Sequence, residues 1–245
     1  MKIVSWNIRA GGGKRAAGIV EQLLAWQPDV IALSEFRATE ASVWITSELY
    51  KHGYIHQRTT ADPAQAAINA LLVASRWPLR QVKLKHAPTN EKRWLHLNVS
   101  AEKTFALMAM HIPNRSTGLK YPFMDSVTGI VKNWRGPPAI LLGDTNSGCI
   151  GTDEESPAFN KIEDQWIKTL NQLRWADAFR LLHGETPAYT WYSPNGRNGF
   201  RLDQAFIHPS IHTGLQTFEY VWGGQPNKRL ECLSDHAAIV MEIDV

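Results

Sequence analysis

Ala139-Ile140-Leu141-Leu142-Gly143-Asp144-Thr145-Asn146 is the segment whose reading decides the fold. An apolar run as short as Ala139 to Leu142 reads as a strand. It ends in a glycine, and a carboxylate and an amide follow at alternate positions, Asp144 and Asn146. Alternate residues of an extended segment share a side, so these two polar groups are presented together and can hold one water between them. Taken alone, the segment reads equally well as a polar turn after a strand. The same grammar recurs along the chain. Lys2-Ile3-Val4-Ser5-Trp6 runs into Asn7, and Asp29-Val30-Ile31-Ala32-Leu33 into Ser34-Glu35. Phe105-Ala106-Leu107-Met108-Ala109-Met110 runs into His111-Ile112-Pro113-Asn114. Arg201-Leu202-Asp203 and Ser234-Asp235-His236 complete the series, the last after a weaker strand-like stretch. Strand ends are where a packed scaffold presents side chains to solvent.

The 245 residues, 44% of them hydrophobic, suffice for one large core, and a single domain over 1–245 is expected. A formal charge of +3 permits a polyanionic partner without requiring one. Cys149 and Cys232 form no metal-binding or redox motif, which makes a reduced, cytoplasmic protein the default expectation. No apolar run approaches the roughly 20 residues of a membrane span, and because the strand pattern starts at Lys2 no leader is expected. There is no internal repeat or linker. Helices are expected over 15–27, 39–51, 121–134 and 160–173. In the last of these Ile162, Trp166, Ile167, Leu170 and Leu173 share one face. Strands are expected over 2–8, 29–34, 69–75, 80–86, 94–99, 104–111, 138–143, 189–193, 201–207, 216–222 and 237–243. Such a mixture indicates a layered α/β protein with too many consecutive strands for a simple doubly wound sheet.

The motifs supply carboxylates, amides and imidazoles but no candidate nucleophilic Ser or Cys. That inventory suits Mg²⁺ or Mn²⁺ and hydrolysis of a phosphate ester by water. Glu35 closes a buried run, so its stem is anchored; pairing with Arg37 is the alternative.

In order and wording the six motifs resemble the endonuclease/exonuclease/phosphatase superfamily, most closely its exonuclease III-type abasic-site endonucleases. The resemblance extends from Asn7 to His236. It implies a DNase I-like α/β fold, a four-layer sandwich of two mixed β-sheets flanked by helices, with the site at one end. It also implies roles. Glu35 is the principal metal ligand, with Asn7 and Asp235 assisting. Asp144 activates the attacking water and Asn146 orients it. Asp203 holds His236, whose protonated ring stabilises the phosphorane-like transition state. Asn114 meets the scissile phosphate. His111 departs from the family's Tyr-x-Pro-Asn and matches branches with other substrates, although either ring can donate to a phosphate oxygen. Tyr189-Thr190-Trp191-Tyr192 and Gly199-Phe200-Arg201-Leu202-Asp203 resemble segments that wall an abasic-sugar pocket, and imply that Trp191, Phe200, Leu202 and Arg201 bind substrate. Ordinary strand packing is the alternative for these residues. Lys14, Arg15, Arg58, Arg93, Arg115 and Arg197 are candidate phosphate contacts, whereas Asp153-Glu154-Glu155 reads as a solvated acidic loop. The implied protein is a monomeric Mg²⁺- or Mn²⁺-dependent nuclease that cuts duplex DNA 5′ of abasic sites, with 3′–5′ exonuclease or 3′-phosphatase activity as a further expectation. A phosphodiesterase or phosphatase for another phosphate ester, RNA included, is the alternative, and a catalytically dead scaffold is disfavoured by the complete site set.

Overall fold

The apolar runs become the strands of two six-stranded mixed sheets, in a computed structural model that describes residues 1–195, 197–224 and 232–245. The first sheet contains β1 (Lys2–Asn7), β2 (Val30–Phe36), β3 (His56–Thr59), β4 (Ala70–Ser75), β13 (Leu215–Val221) and β14 (Ala238–Ile243), in the order β13-β14-β1-β2-β4-β3. The second contains β5 (Leu79–Gln81), β6 (Trp94–Ser100), β7 (Thr104–His111), β8 (Ala139–Asp144), β9 (Ala176–Asp177) and β12 (Asp203–Ile207), in the order β5-β6-β7-β8-β12-β9. Only β1 with β2, and β7 with β8, pair in parallel; the other neighbours are antiparallel. A two-stranded ribbon of β10 (Trp191–Tyr192) and β11 (Gly199–Phe200) stands apart.

Both sheets are covered on both faces, which is why their strands read as continuous apolar runs. Alternation sorts each strand's residues between two interfaces. Val30 and Ala32 of β2 meet Leu95, Leu107 and Leu142 of the other sheet in the central core. Ile31 and Leu33 face outward onto Ile19 and Leu23 of α1 (Ala16–Trp26) and Ile45 and Leu49 of α2 (Glu40–Lys51). On the far side Met108, Leu141 and Phe206 pack on Phe123 and Val127 of α3 (Lys120–Lys132) and on Trp166 and Leu170 of α4 (Lys161–Gln172). The result is helices, sheet, sheet, helices, as the resemblance implied. A capping box starts α4: Asn160 accepts from the Ile162 and Glu163 amides, and Glu163 accepts from the Asn160 amide.

Several expectations need correction. The strand expected over 80–86 is only Leu79–Gln81, with one further ladder bond from the Val82 amide to the His96 carbonyl at 2.9 Å. Beyond it the chain leaves the sheet, although Val82 and Leu84 keep an alternating pattern. The polar edge strand β3 and the short helix α5 (Ala178–His183) carried too little periodicity to be read. Asp153 and Glu154 are buried rather than solvated, at 0% and 5% exposure. The weak strand expected before Ser234 falls mainly on 225–231, outside the described residues.

Candidate active-site groove

Strand register assembles the centre of the site. In β7 and β8 Met110 lies beside Gly143 and His111 beside Asp144, while Asp203 of β12 faces Asp144 from the other side. Only glycine fits at 143: φ is +137°, and a Cβ there would sit 1.9 Å from the Met110 carbonyl oxygen. The close approach puts the two strands' polar ends abreast. In the first sheet Asn7 lies beside Ser34, and the β2–β4 ladder shifts register between Ser34 and Phe36. Glu35 is the extra residue of that bulge, with φ +52°. A bulge re-aims a side chain, and positive φ at a non-glycine residue is a strain typical of functional sites. The Gly11 amide donates to the Glu35 carbonyl at 2.7 Å, and the Ala10 amide to its Oε2 at 2.8 Å.

A hydrogen-bond network joins the two sheets. Asn7 Nδ2 donates to Asp144 Oδ2 at 3.0 Å and lies 3.5 Å from Glu35 Oε1, while its Oδ1 accepts from the Arg9 amide. Asn7 therefore orients carboxylates and turns its donor, not its oxygen, toward them. Asp144 Oδ1 accepts from the Asn146 amide at 2.9 Å, and Asn146 Nδ2 donates to the Ile112 carbonyl at 2.8 Å. His236 Nδ1 lies 2.8 Å from Asp203 Oδ2. Ser234 Oγ donates to the Asn7 carbonyl and Trp6 Nε1 to the His236 carbonyl, tying the last motif to the first.

Electrostatics separate the groups. Burial pushes the Asp144 carboxyl up to about 7, with Asp203 adding to the rise and His236 opposing it. Burial works against protonated His236, but Asp203, by charge and hydrogen bond, outweighs it, and Asp144 and Asp235 add to the effect. The imidazole is raised to about 10. Buried His111 goes the other way, well below the usual histidine range, because burial, Arg93 and His236 all disfavour its charge. Its Nε2 lies 3.5 Å from Asp144 Oδ2. Burial, then Asp153, pushes the Cys149 thiol up to about 12, which removes a thiolate from the chemistry.

A groove of about 340 Å³ opens over these groups. Glu35, His111, Asn114, Asp144, Asn146, Trp191, Phe200, Leu202, Asp235 and His236 line it, so ten of the thirteen residues expected at the site face one space. Asn7 and Asp203 stand behind as orienting partners. Arg201 is the correction. It is 1% exposed, with its guanidinium on Asp153 and Asp177, because a buried charge must be paired and the acidic pair lies inside. Of the basic candidates Arg115 lines the groove, and Arg93 lies near enough to feel Asp144 and Glu35. Arg15 instead binds the carbonyls of Ile8, Arg9 and Leu233 as a scaffold.

Sequence reading missed three contributors. Lys120 is buried at the start of α3 and lines the groove, binding the Asn146 carbonyl and Glu163. No local signal distinguishes it from a solvated lysine. Phe159 lines the groove and meets Phe200 edge-on with centroids 5.4 Å apart; its signal was an apolar residue directly before the helix cap. Thr190 Oγ1 accepts from the Leu202 and Asp203 amides, fixing the strand that carries both.

Two mixed sheets packed face to face, with carboxylates, amides and a carboxylate–imidazole pair gathered at one end, define a hydrolase of the nuclease–phosphatase type. The chain belongs to the Endonuclease/Exonuclease/phosphatase family, whose profile matches residues 4–236. It is similar to an exodeoxyribonuclease of Streptococcus pneumoniae, with 24% identity over 289 aligned positions and all of both chains covered. Among solved structures it is similar in fold to an AP endonuclease from Archaeoglobus fulgidus (TM-score 0.83, 18% identity). A similar likeness holds to the 3′ phosphatase NExo from Neisseria, bound to product DNA hairpin (TM-score 0.81, 22% identity). Each of these matches covers the whole of both chains.

Proposed function

We propose that this protein is a Mg²⁺- or Mn²⁺-dependent DNA repair nuclease. It would hydrolyse the phosphodiester bond 5′ of abasic sites in duplex DNA, with 3′–5′ exonuclease and 3′-phosphatase activity at strand ends, acting as a monomer. The observation that carries this reading is the convergence on one groove of Glu35, Asp144, poised near neutrality, and His236, held from behind by Asp203. The similar AP endonuclease, exodeoxyribonuclease and 3′ phosphatase lend support.

The residues fit a hard cation. Glu35 and Asp235 offer carboxylate oxygens at the groove, and no cysteine lines it. Asp144, Asp203 and His236 also bring three ligand atoms within 4.8 Å of one another, but Nδ1 of His236 is committed to Asp203. We therefore give the cation to Glu35 with Asp235, and the water and phosphate to the buried group. The cation would neutralise the phosphate and the leaving 3′-oxygen. Ionised Asp144, held by Asn7 and the Asn146 amide, takes the proton of the water whose oxygen attacks phosphorus. His236, protonated, donates to a phosphoryl oxygen from the opposite nitrogen, and its charge meets the charge that develops as the P–O3′ bond breaks. Neutral His111 and Asn114 donate to the remaining oxygens. Trp191, Phe200, Leu202 and Phe159 supply the apolar part of the groove lining, against which a flipped sugar without a base would pack.

The test uses a duplex with one abasic analogue, the matched intact duplex, a 3′-phosphate duplex and a generic phosphomonoester, with Mg²⁺ or EDTA. Cleavage of the abasic duplex in Mg²⁺ and none in EDTA is expected. Full activity in EDTA, or of Glu35→Gln in EDTA, overturns the metal assignment. Equal cleavage of abasic and intact duplexes would favour the second reading, a broader phosphodiesterase or phosphatase, which His111 in place of the family's tyrosine supports.

A further inference from the structure

A second cavity, of about 440 Å³, lies on the outer face of the second sheet, between the segment after β5, strand β6 and the last turn of α3. Its size falls within the range of small-molecule sites. It is remote from the groove: Lys120 in the first turn of α3 faces the groove, whereas Gly129 and Ile130, roughly 15 Å along the helix, face this cavity.

Three features mark it as built for a ligand. His96 lines it while only 3% exposed, and among the described residues neither of its ring nitrogens has a hydrogen-bond partner. An unpaired polar group this deep costs stability unless something meets it. Burial, with Arg80 adding, pushes this imidazole down to about 4, so it is neutral and offers one donor and one acceptor. Trp134 forms a fixed aromatic wall. It meets His96 edge-on at 5.6 Å, donates its Nε1 to the Pro137 carbonyl, and lies so close over Gly136 that a Cβ there would come within 2.5 Å of the ring. The charged side chains that line the cavity, Arg80, Lys85 and Arg135, are all basic, and among the described residues no carboxylate accompanies them.

We propose that this cavity is a ligand site for a small planar apolar group carrying an anionic substituent. The ring packs beside Trp134, a polar atom on it meets His96, and the anion lies toward the basic rim. A neighbouring cavity of about 390 Å³ also reaches His96, but it is lined by Glu91 and lacks Trp134. The site does not depend on the hydrolytic function proposed above.

Calorimetric titration of the intact protein tests it with 2-naphthoate, 6-hydroxy-2-naphthoate and 2-naphthylmethylammonium. The naphthoates should bind saturably at one site per chain, and the ammonium compound about tenfold more weakly or worse, because the rim is cationic. The 6-hydroxyl should tighten binding by about three- to tenfold through one hydrogen bond, and His96→Phe should erase that gain. Gly129→Leu should fill the cavity. Position 129 has open space where a Cβ would stand, and leucine favours a helix more than glycine does, so the fold should survive. This variant should lose naphthoate binding by about tenfold and keep its melting temperature and phosphoester hydrolysis. Absence of saturable naphthoate binding, equal binding of the ammonium compound, or unchanged binding by a folded Gly129→Leu protein overturns the proposal. Persistence of the hydroxyl gain in His96→Phe removes His96 from it.

Discussion

Asp144 and His236 lie in one buried cluster that raises the proton affinity of both, Asp144 through burial and His236 through the Asp203 carboxylate, which outweighs burial. In the proposed reaction Asp144 must be ionised to accept a proton, so activity should be gained as pH rises through about 7; a bound cation would stabilise the carboxylate and move this limb lower. His236 must be protonated to donate, so activity is lost as pH rises through about 10. The pH–rate profile should be bell-shaped. Asp203→Asn removes the charge that outweighs burial at His236. The alkaline limb should then fall by two or more pH units, on the order of the shift that the lost charge sustained. An unmoved limb would separate that limb from the histidine. Asp144→Asn and His236→Ala should each lower single-turnover cleavage by about 10² to 10³ while DNA affinity changes little. Weakened binding with an unchanged cleavage rate would refute the roles given to them.

At the scale of elements, the site depends on two irregularities in otherwise regular strands. Gly143 lets β8 approach β7 so closely that Asp144 lies beside His111, and the bulge in β2 turns Glu35 into the groove. Gly143→Ala must push Met110 aside and adopt a φ of +137°. Stability should fall by roughly 1–3 kcal/mol in urea unfolding, and cleavage should fall further than stability accounts for, because Asp144 is displaced. A variant as active as the parent protein would mean that the register tolerates the shift. The walls of the groove are elements too: Trp191 and Phe200 are cross-strand partners of the ribbon β10–β11, and Phe159 braces Phe200. Phe200→Ala should narrow the ratio of abasic to intact-duplex cleavage and leave hydrolysis of a small phosphodiester nearly constant. An unchanged ratio would take Phe200 out of specificity.

At the scale of the whole molecule, contacts distant in sequence hold the site. His236 reaches Trp6 across 230 positions, and the Arg201–Asp153–Asp177 cluster ties the loop after β8 to α5 and β12. Arg201→Met would leave buried Asp177 without its guanidinium partner and Asp153 with Arg180 alone, and unfolding free energy should drop by about 3–5 kcal/mol. Burial works to raise Asp153, but Arg201 and Arg180 overcome it and hold it below the usual carboxylate range. A depressed carboxylate stabilises the fold at neutral pH and loses that contribution only as pH falls through its folded value. Acid unfolding should therefore begin at higher pH in Arg201→Met. An unchanged acid transition would show that the cluster is not what resists protonation.

The amino-acid order alone determined the layered α/β class and most of the candidate site. Short apolar runs ending in Asn7, Glu35, His111, Asp144 and His236 are local facts, because a two-residue period and a polar terminus need no partner to be read. What lay beyond the sequence had non-local causes. Arg201 sits between apolar strand residues and a pocket motif, and only the fold shows that Asp153 and Asp177 wait for it inside. Lys120 looks like any helix lysine until α4 brings Glu163 against it. The strand after Leu79 keeps its alternation to Leu84, yet it parts from β6 past Val82 and leaves a cavity over His96. A sequence specifies what each residue prefers within its own element. Which buried charge finds its partner, and where two layers fail to close, is decided by packing between segments far apart in the chain.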